Sequence, residues 1–372
     1  VIAEISVDLA AIARNAAALA QLVAPARLTA VVKANAYGHG LVPVARALAP
    51  YAARLCVYAL SEAVVLRDAG IDVPVHVLGP VPADELEIAH AANVQLTLWD
   101  HELYARQVAS VARRRRRNFA VHAKIDTGVV RLGIPIDEAP AVLERYAATP
   151  ELELAGAFTH LAAAEEIDST FTLEQLTRFL LATQALDARV ERHAAATAAA
   201  ILWPEARLDA VRCGIGVYGI WPSDESETLM RDRGLVLEPA LSWRSRIVAL
   251  HEVEPGTTVG YGRTWRAERA STIATLPIGY AEGLPRSAGN AAHALVRGRR
   301  VPIVGRICMN MAFLDVTDVA GAAAGDAVTL IGSDGGLRIT AEELAAACGT
   351  IGYEIVARLP ADVPRTYGVT GP

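Results

Sequence analysis

The sequence predicts an α/β protein, a (β/α)8 TIM-like barrel over residues 1–235 followed by a mostly antiparallel C-terminal β domain over residues 236–372. Three observations predict it. Eight short apolar runs alternate with helical patterns between residues 28 and 211, and eight parallel strands close a barrel. No Gly-x-Gly-x-x-Gly fingerprint follows the first run, which argues against the rival doubly wound sheet. Past residues 234–238 the pattern turns to period-two segments with tight turns.

Residues 8–23 read as an amphipathic helix with Asp8 as its N-cap. The strand runs are 28–32, 55–59, 75–78, 94–98, 119–125, 152–159, 190–194 and 208–211. Helical stretches near 42–49, 61–69, 82–90, 100–112, 137–148, 172–188 and 197–202 lie between them. In the second domain, 241–252, 271–278, 294–304 and 327–331 read as strands. Pro255-Gly256 and Asp334-Gly335-Gly336 read as turns. A helix over 340–348 has Thr340 as cap and Glu343 in position for a capping box.

Composition limits the function classes. Of 372 residues, 53% are hydrophobic, so a large core is within reach, and the net charge of −6 argues against a nucleic-acid or membrane-surface role. Arg113–Arg117 follows a helical stretch, where cations suit a helix C-terminus and solvent better than a binding patch. Cys56, Cys213, Cys308 and Cys348 lie far apart, as reduced cytoplasmic thiols do, and form neither a disulfide frame nor a metal-ligand spacing. No apolar run approaches a membrane span. The chain opens without a signal-peptide pattern, and the absent initiator Met leaves a removed leader open.

The first strand ends at Lys33, in Val31-Val32-Lys33-Ala34-Asn35-Ala36-Tyr37-Gly38-His39-Gly40. A lysine at the C-terminal end of a barrel strand stands where barrels keep their chemistry, and burial there lowers its pKa toward a nucleophilic amine. A strand-end lysine reaching to water is an equal reading of these ten residues. Other strand ends carry polar groups too: Lys124-Ile125-Asp126-Thr127-Gly128 with Arg131, then Thr159-His160, then Thr197, then Arg212-Cys213-Gly214-Ile215-Gly216. Barrels often bind phosphate after strands seven and eight, so Tyr37, Thr197, Gly214 and Ile215 could hold one, although these residues alone favour a glycine-rich exit from the last strand with no ligand.

The stretch around Lys33 resembles the cofactor-lysine signature of alanine racemases, which hold pyridoxal 5'-phosphate as a Schiff base. Later stretches resemble the same family in the same order. The resemblance implies that Arg212, in Val211-Arg212-Cys213-Gly214-Ile215-Gly216, contacts the pyridine nitrogen. An arginine stays protonated and keeps that nitrogen largely neutral. It implies that His160 lies beside the ring, and that Arg131 meets the phenolic oxygen and the substrate carboxylate. It implies that Lys124 stands where some members carry a carbamylated lysine. Gly260-Tyr261-Gly262-Arg263 resembles the segment that supplies the second base, and in that family the tyrosine comes from the other subunit of a homodimer with shared sites. A free tyrosine has a pKa of about 10 and needs cationic neighbours, which His160 and Arg212 would supply. By the same match the Met309 amide binds the substrate carboxylate, Tyr280 and Arg306 line a narrow approach, and Tyr353 closes the pocket beside the cofactor. Departures are Asn310 and Glu165 where the family has aspartates, Ala196 before Thr197, and Val129 for a methionine.

The implied reaction is interconversion of L- and D-alanine, supplying D-alanine for peptidoglycan, with Lys33 and Tyr261 as the two bases. A serine or broad-specificity racemase shares these parts. A barrel-type decarboxylase would be expected to carry a carboxylate where Arg212 stands. A non-enzymatic cofactor-binding protein would be expected to lack the β domain.

Overall fold

A computed structural model describes residues 3–100 and 102–368. The chain forms two compact units: Ile12–Ala36 with Leu41–Glu238, and the residues up to Ala11 with Tyr37–Gly40 and everything from Pro239 onward.

The first unit is the barrel. Its strands are Arg27–Val31, Arg54–Val57, Val75–Val77, Gln95–Leu98, Phe119–Asp126, Leu152–Phe158, Glu191–His193 and Ala210–Cys213. Each predicted run overlaps one of them, with bounds that differ by up to two residues. Neighbours pair in parallel in chain order, and the eighth strand pairs with the first. The ring closes between the seventh and eighth through Asp209 N to Arg192 O (3.1 Å) and Arg212 N to Ala195 O (2.9 Å). Parallel strands need crossovers, and the intervening helices supply them. Most strand residues are buried on either face, so the strands read as apolar runs without alternation. Leu55, Val57, Val77, Leu96, Leu98 and Val121 are fully buried, each worth about 1.5–3 kcal/mol by area.

The arginine run ends the helix Leu103–Arg115. Arg114 and Arg115 pair with Glu87, and Arg113 with Glu151. These cations are a helix end with its own counter-charges.

In the second unit one sheet runs through Ala249–Val253, Ser271–Leu276, Ala312–Asp315, Arg299–Val304, His293–Val296, Ala327–Asp334, Leu241–Arg246, Ala3–Val7 and Arg365–Tyr367. Every pairing along it is antiparallel except that of the last two strands. Two expected segments are each two strands. Residues 241–252 break after Arg246, and residues 294–304 fold as a hairpin about Arg297-Gly298, both at positive φ. The N-terminal strand Ala3–Val7 pairs with Leu241–Arg246. Thr340 caps Ala341–Cys348 by accepting from the Glu343 amide (3.1 Å). The reciprocal half of the expected capping box is replaced by a Glu343–Arg300 ion pair.

No helix of the described residues is long and apolar enough to cross a membrane.

Candidate active site

Lys33 stands two residues beyond the first barrel strand and is half-buried. Burial lowers its pKa first, and the Arg131 charge lowers it further, against Glu62 and Cys56. The next four residues, Ala34 to Tyr37, all adopt left-handed backbone with φ between 51° and 54°. For residues with a Cβ this costs roughly 1–2 kcal/mol each, so four in a row persist only where the surroundings over-determine them. Ala36 N donates to Val32 O (2.9 Å), and Leu41 N donates to Asn35 Oδ1 (2.9 Å). The turn sharply redirects the chain just after the amine.

The eighth strand runs beside the first, with Arg212 opposite Thr29 and Cys213 opposite Ala30. Arg212 is buried. Its two terminal nitrogens donate to His193 Nδ1 (2.7 Å), His193 O (2.9 Å), Thr159 O (2.7 Å) and Ala194 O (3.0 Å). Its Nε–H has no acceptor among the described residues. Burial brings its pKa down to about 10, which keeps it a cation at neutral pH.

A layer of three histidines that the sequence reading did not single out lies inside the barrel. Since Arg212 donates to His193 Nδ1, His193 carries its proton on Nε2 and donates to His122 Nδ1 (3.0 Å). His122 in turn donates from Nε2 to Gln95 Oε1 (3.1 Å). His76 stacks on His122 at 4.3 Å and donates to Thr97 Oγ1 (2.9 Å), which donates to Val77 O. All three are fully buried, and burial followed by nearby charge holds each pKa well below the usual histidine range. They are neutral, with tautomers set by the chain of bonds. His122, Glu191 and His193 bring ligand atoms within 4.8 Å of one another. Arg27 and Arg54 already neutralise Glu191, and the two imidazoles bond each other, so the cluster is a cation-rich hydrogen-bond network. Its signal in the sequence was a polar residue inside each of three apolar strand runs.

Thr197 opens the helix Thr197–Leu202, and its hydroxyl accepts from Gly214 N (3.1 Å) and Gly216 N (3.5 Å). A Cβ on Gly216 would sit 2.7 Å from the Thr197 methyl, so a side chain there would displace Thr197. Ile215 starts the short 3-10 turn Ile215–Tyr218, and Tyr218 donates to Val31 O (2.9 Å) near Lys33.

The loop after the fifth strand is built by Asp126. Its Oδ1 accepts from the amides of Gly128, Val129 and Val130 at 2.9–3.1 Å. Gly128 at φ 145° gives room to the Phe171 ring. The exposed Arg131 ends this loop without an ion pair among the described residues. Lys124 is buried 5.8 Å from the Phe158 ring centroid. Burial, then Arg131 and Arg212, bring its pKa down to about 8. His160 is brought down to about 3 by burial and then Arg212, Arg131, Lys124 and Lys33. His160 is thereby held neutral, and of the two neighbours expected to support the phenol Arg212 is the one that stays charged. The sequence holds a further signal. Only Lys33 and Lys124 are lysines among 35 basic residues, and both lie in this cluster. Arginine cannot give up a proton near neutrality, so a chain that otherwise uses arginine keeps lysine where an amine must.

In the β unit, Tyr261 is 71% exposed and sits in a tight turn between Gly260 and Gly262, both at φ 72°. A Cβ on Gly262 would strike the Arg306 guanidinium at 2.7 Å. Gly279 packs against the Cys308 and Met309 carbonyls, and Tyr280 N and Ala281 N donate to those same oxygens (3.1 and 2.9 Å). Tyr280 and Met309 are thus exposed on one tied pair of segments. Tyr37 and Tyr353 face each other with ring centroids 6.4 Å apart.

Asn310, the departure from aspartate, donates to Glu282 Oε1 (2.7 Å), while Glu282 Oε2 accepts from Gly279 N (2.8 Å). Two carboxylates could not share that contact unless one were protonated. The Asn310→Asp variant is expected to match the parent's melting temperature at acidic pH, where the pair keeps a shared proton. It should lose about 1–3 °C as pH rises and both acids ionise, an effect shrinking with salt. Thermal scans across pH check this, and a pH-independent difference would refute it.

Comparison with known proteins gives one answer along the chain. Residues 7–222 match the family model for the alanine racemase N-terminal domain, and residues 240–367 match that for the C-terminal domain. The chain is 40% identical over 369 residues to the alanine racemase of Desulforamulus reducens, covering 97% of each. It is 41% identical over 367 residues to that of Symbiobacterium thermophilum, covering 97% of this chain and 96% of the relative. Its structure resembles alanine racemase from D-cycloserine-producing Streptomyces lavendulae with a TM-score of 0.92 at 32% identity, covering 98% and 96% of the two chains. It also resembles the Bacillus anthracis alanine racemase with bound L-Ala-P, with a TM-score of 0.90 at 35% identity, covering 100% and 96%.

Proposed function

The chain belongs to the alanine racemase family, and from that premise we propose how it interconverts L- and D-alanine: Lys33 and Tyr261 of the partner subunit carry protons on opposite faces of the α-carbon. The D-alanine formed supplies peptidoglycan. The observation that carries the reading is the placement of Arg212 on the eighth strand, which pairs with the first strand that Lys33 follows. One is an amine eased toward its neutral form, and the other a guanidinium that stays charged.

Pyridoxal 5'-phosphate is the cofactor these residues fit. A Cβ at Gly216 would crowd Thr197, and there the amides of Gly214 and Gly216 meet the Thr197 hydroxyl, a donor set suited to a phosphate. Arg212 has spent its terminal nitrogens on protein acceptors and retains Nε–H for a ring nitrogen. Lys33 would carry the group, and on the motif match Ile215, Tyr37, Arg131, His160 and Tyr353 would complete its binding set. When bound, the cofactor supplies a conjugated ring that delocalises the electron pair left on the α-carbon.

The chain's residues divide the remaining work. Arg131 orients the substrate carboxylate together with the Met309 amide. Lys33 takes or returns the α-proton on one face, and Tyr261 of the partner subunit does so on the other. Arg212 holds a fixed positive charge and gives up no proton. Lys124, its pKa brought down to about 8, is the amine that would capture carbon dioxide as a carbamate, releasing a proton and setting a negative charge beside Arg131. The homodimer reading is supported by large apolar side chains left in solvent: Tyr261, Met309 at 58% and Val130 at 87% exposure. Four free thiols support a cytoplasmic setting.

The test is α-carbon deuterium exchange in heavy water with pyridoxal 5'-phosphate added. Both L- and D-alanine should exchange and interconvert. Exchange of one enantiomer without inversion, or none, would overturn the assignment.

A further inference from the structure

We propose that Glu62 is a positioning residue for Lys33: its carboxylate clamps the left-handed turn behind the amine and presents a negative charge to it. The inference rests on the reading of Lys33 as the cofactor-bearing base.

Glu62 is the third residue of the helix Leu60–Asp68, which follows the second barrel strand. That strand pairs with the first, Val31 opposite Cys56. Glu62 Oε2 accepts from the Tyr58 amide (2.9 Å) and the Ala59 amide (3.2 Å), which anchors it at the second strand's end. Oε1 then accepts, over a long 3.4 Å, from the amide of Asn35, the second left-handed residue after Lys33. One carboxylate thereby joins two adjacent strand ends, and the amide it holds belongs to backbone that would otherwise relax. Asn35 passes the constraint on through its own side chain to Leu41 N.

The charge matters because of what else faces the amine. Arg131 opposes its protonation. Lys124 and His160 both sense the Lys33 charge, and His160 is neutral. Cys56 is fully buried with its thiol pushed up to about 11, so it is neutral too. Among these neighbours Glu62 is the anion. Without it, burial and arginine charge would weaken the amine as a base for returning a proton.

The experiment uses the full-length chain, cleared of carbonyl cofactor with hydroxylamine and labelled with trace acetic anhydride from pH 6 to 11. Lys33 and Lys124 are the only side-chain amines, so peptide mass spectrometry reads each directly. Glu62→Gln removes the charge and keeps one of the two accepting oxygens, so one side of the carboxylate's amide contacts goes with it. The Lys33 labelling midpoint should fall by about 0.5–1 pH unit, and the acidic limb of kcat in the reloaded enzyme should move with it. Glu62→Asp keeps the charge on a shorter arm. It should restore most of the midpoint but lower kcat several-fold, with KM little changed and faster hydrogen exchange at the Asn35 amide. An unmoved Lys33 midpoint in Glu62→Gln overturns the electrostatic role, and unchanged Asn35 exchange in Glu62→Asp overturns the clamp. Labelling needs no turnover, so a failure of Lys33 as catalytic base would appear in activity while the midpoint shift stood.

Discussion

Lys33→Ala is expected to abolish the visible absorbance of lysine-bound cofactor and to cut racemisation on the order of 10⁴-fold or more, since one substitution removes both a nucleophile and a base. The paired control is Lys124→Ala. Both amines lie in the same cation-rich cluster, and burial and Arg131 lower the pKa of both. Lowered basicity alone therefore does not separate them. Position does: Lys33 follows a barrel strand's C-terminal end and precedes the left-handed turn, whereas Lys124 lies within the fifth strand, buried near the Phe158 ring. Lys124→Ala should keep the absorbance and lose activity through Arg131. A spectrum retained in Lys33→Ala and lost in Lys124→Ala would exchange the roles and sink the assignment.

The barrel was legible because most residues of its strands are buried on either face, and such strands print themselves as apolar runs whatever they pair with. Lys33, Arg212 and Thr197 were legible because barrel chemistry gathers at strand C-termini, which the run endings mark. The N-terminal strand was not read. Its residues Ala3, Ile5 and Val7 are buried in alternation, yet its partner begins at Leu241, and a division into consecutive segments cannot express a chain that returns to its own beginning. The helix Asp224–Arg231 also went unread, for its mean polarity hides a short buried side made of Ser226 and Met230. The histidine layer has another cause. Each of its members is polar in an apolar run, and only closure of the barrel makes His193, His122 and Gln95 into one directed chain under Arg212. Glu62 was invisible for a similar reason: its target, the Asn35 amide, is backbone and has no side-chain signature.

Tyr261→Phe is expected to lower net racemisation by on the order of 10²–10⁴-fold, the usual worth of a positioned acid–base group. The loss must be equal in kcat/KM for both directions, because the enantiomers have equal free energy in water and no variant can change that equilibrium. The asymmetry lies in proton exchange. D-Alanine should still trade its α-proton for deuterium on the Lys33 face without inverting, while exchange from L-alanine is lost. Full activity, or equal loss of exchange for both enantiomers, would refute the base assignment. The exposure of Tyr261, with its turn held by paired glycines against Arg306, adds a sharper demand. If the phenol serves the partner's site, inactive Lys33→Ala and inactive Tyr261→Phe protomers should rescue each other. Freely exchanging symmetric dimers put both lesions into one site of each mixed pair and leave the other intact, so an equal mixture should regain about a quarter of the parent activity. If the phenol served its own protomer's site, every site in every mixture would carry a lesion, and the mixture would stay as inactive as its parts.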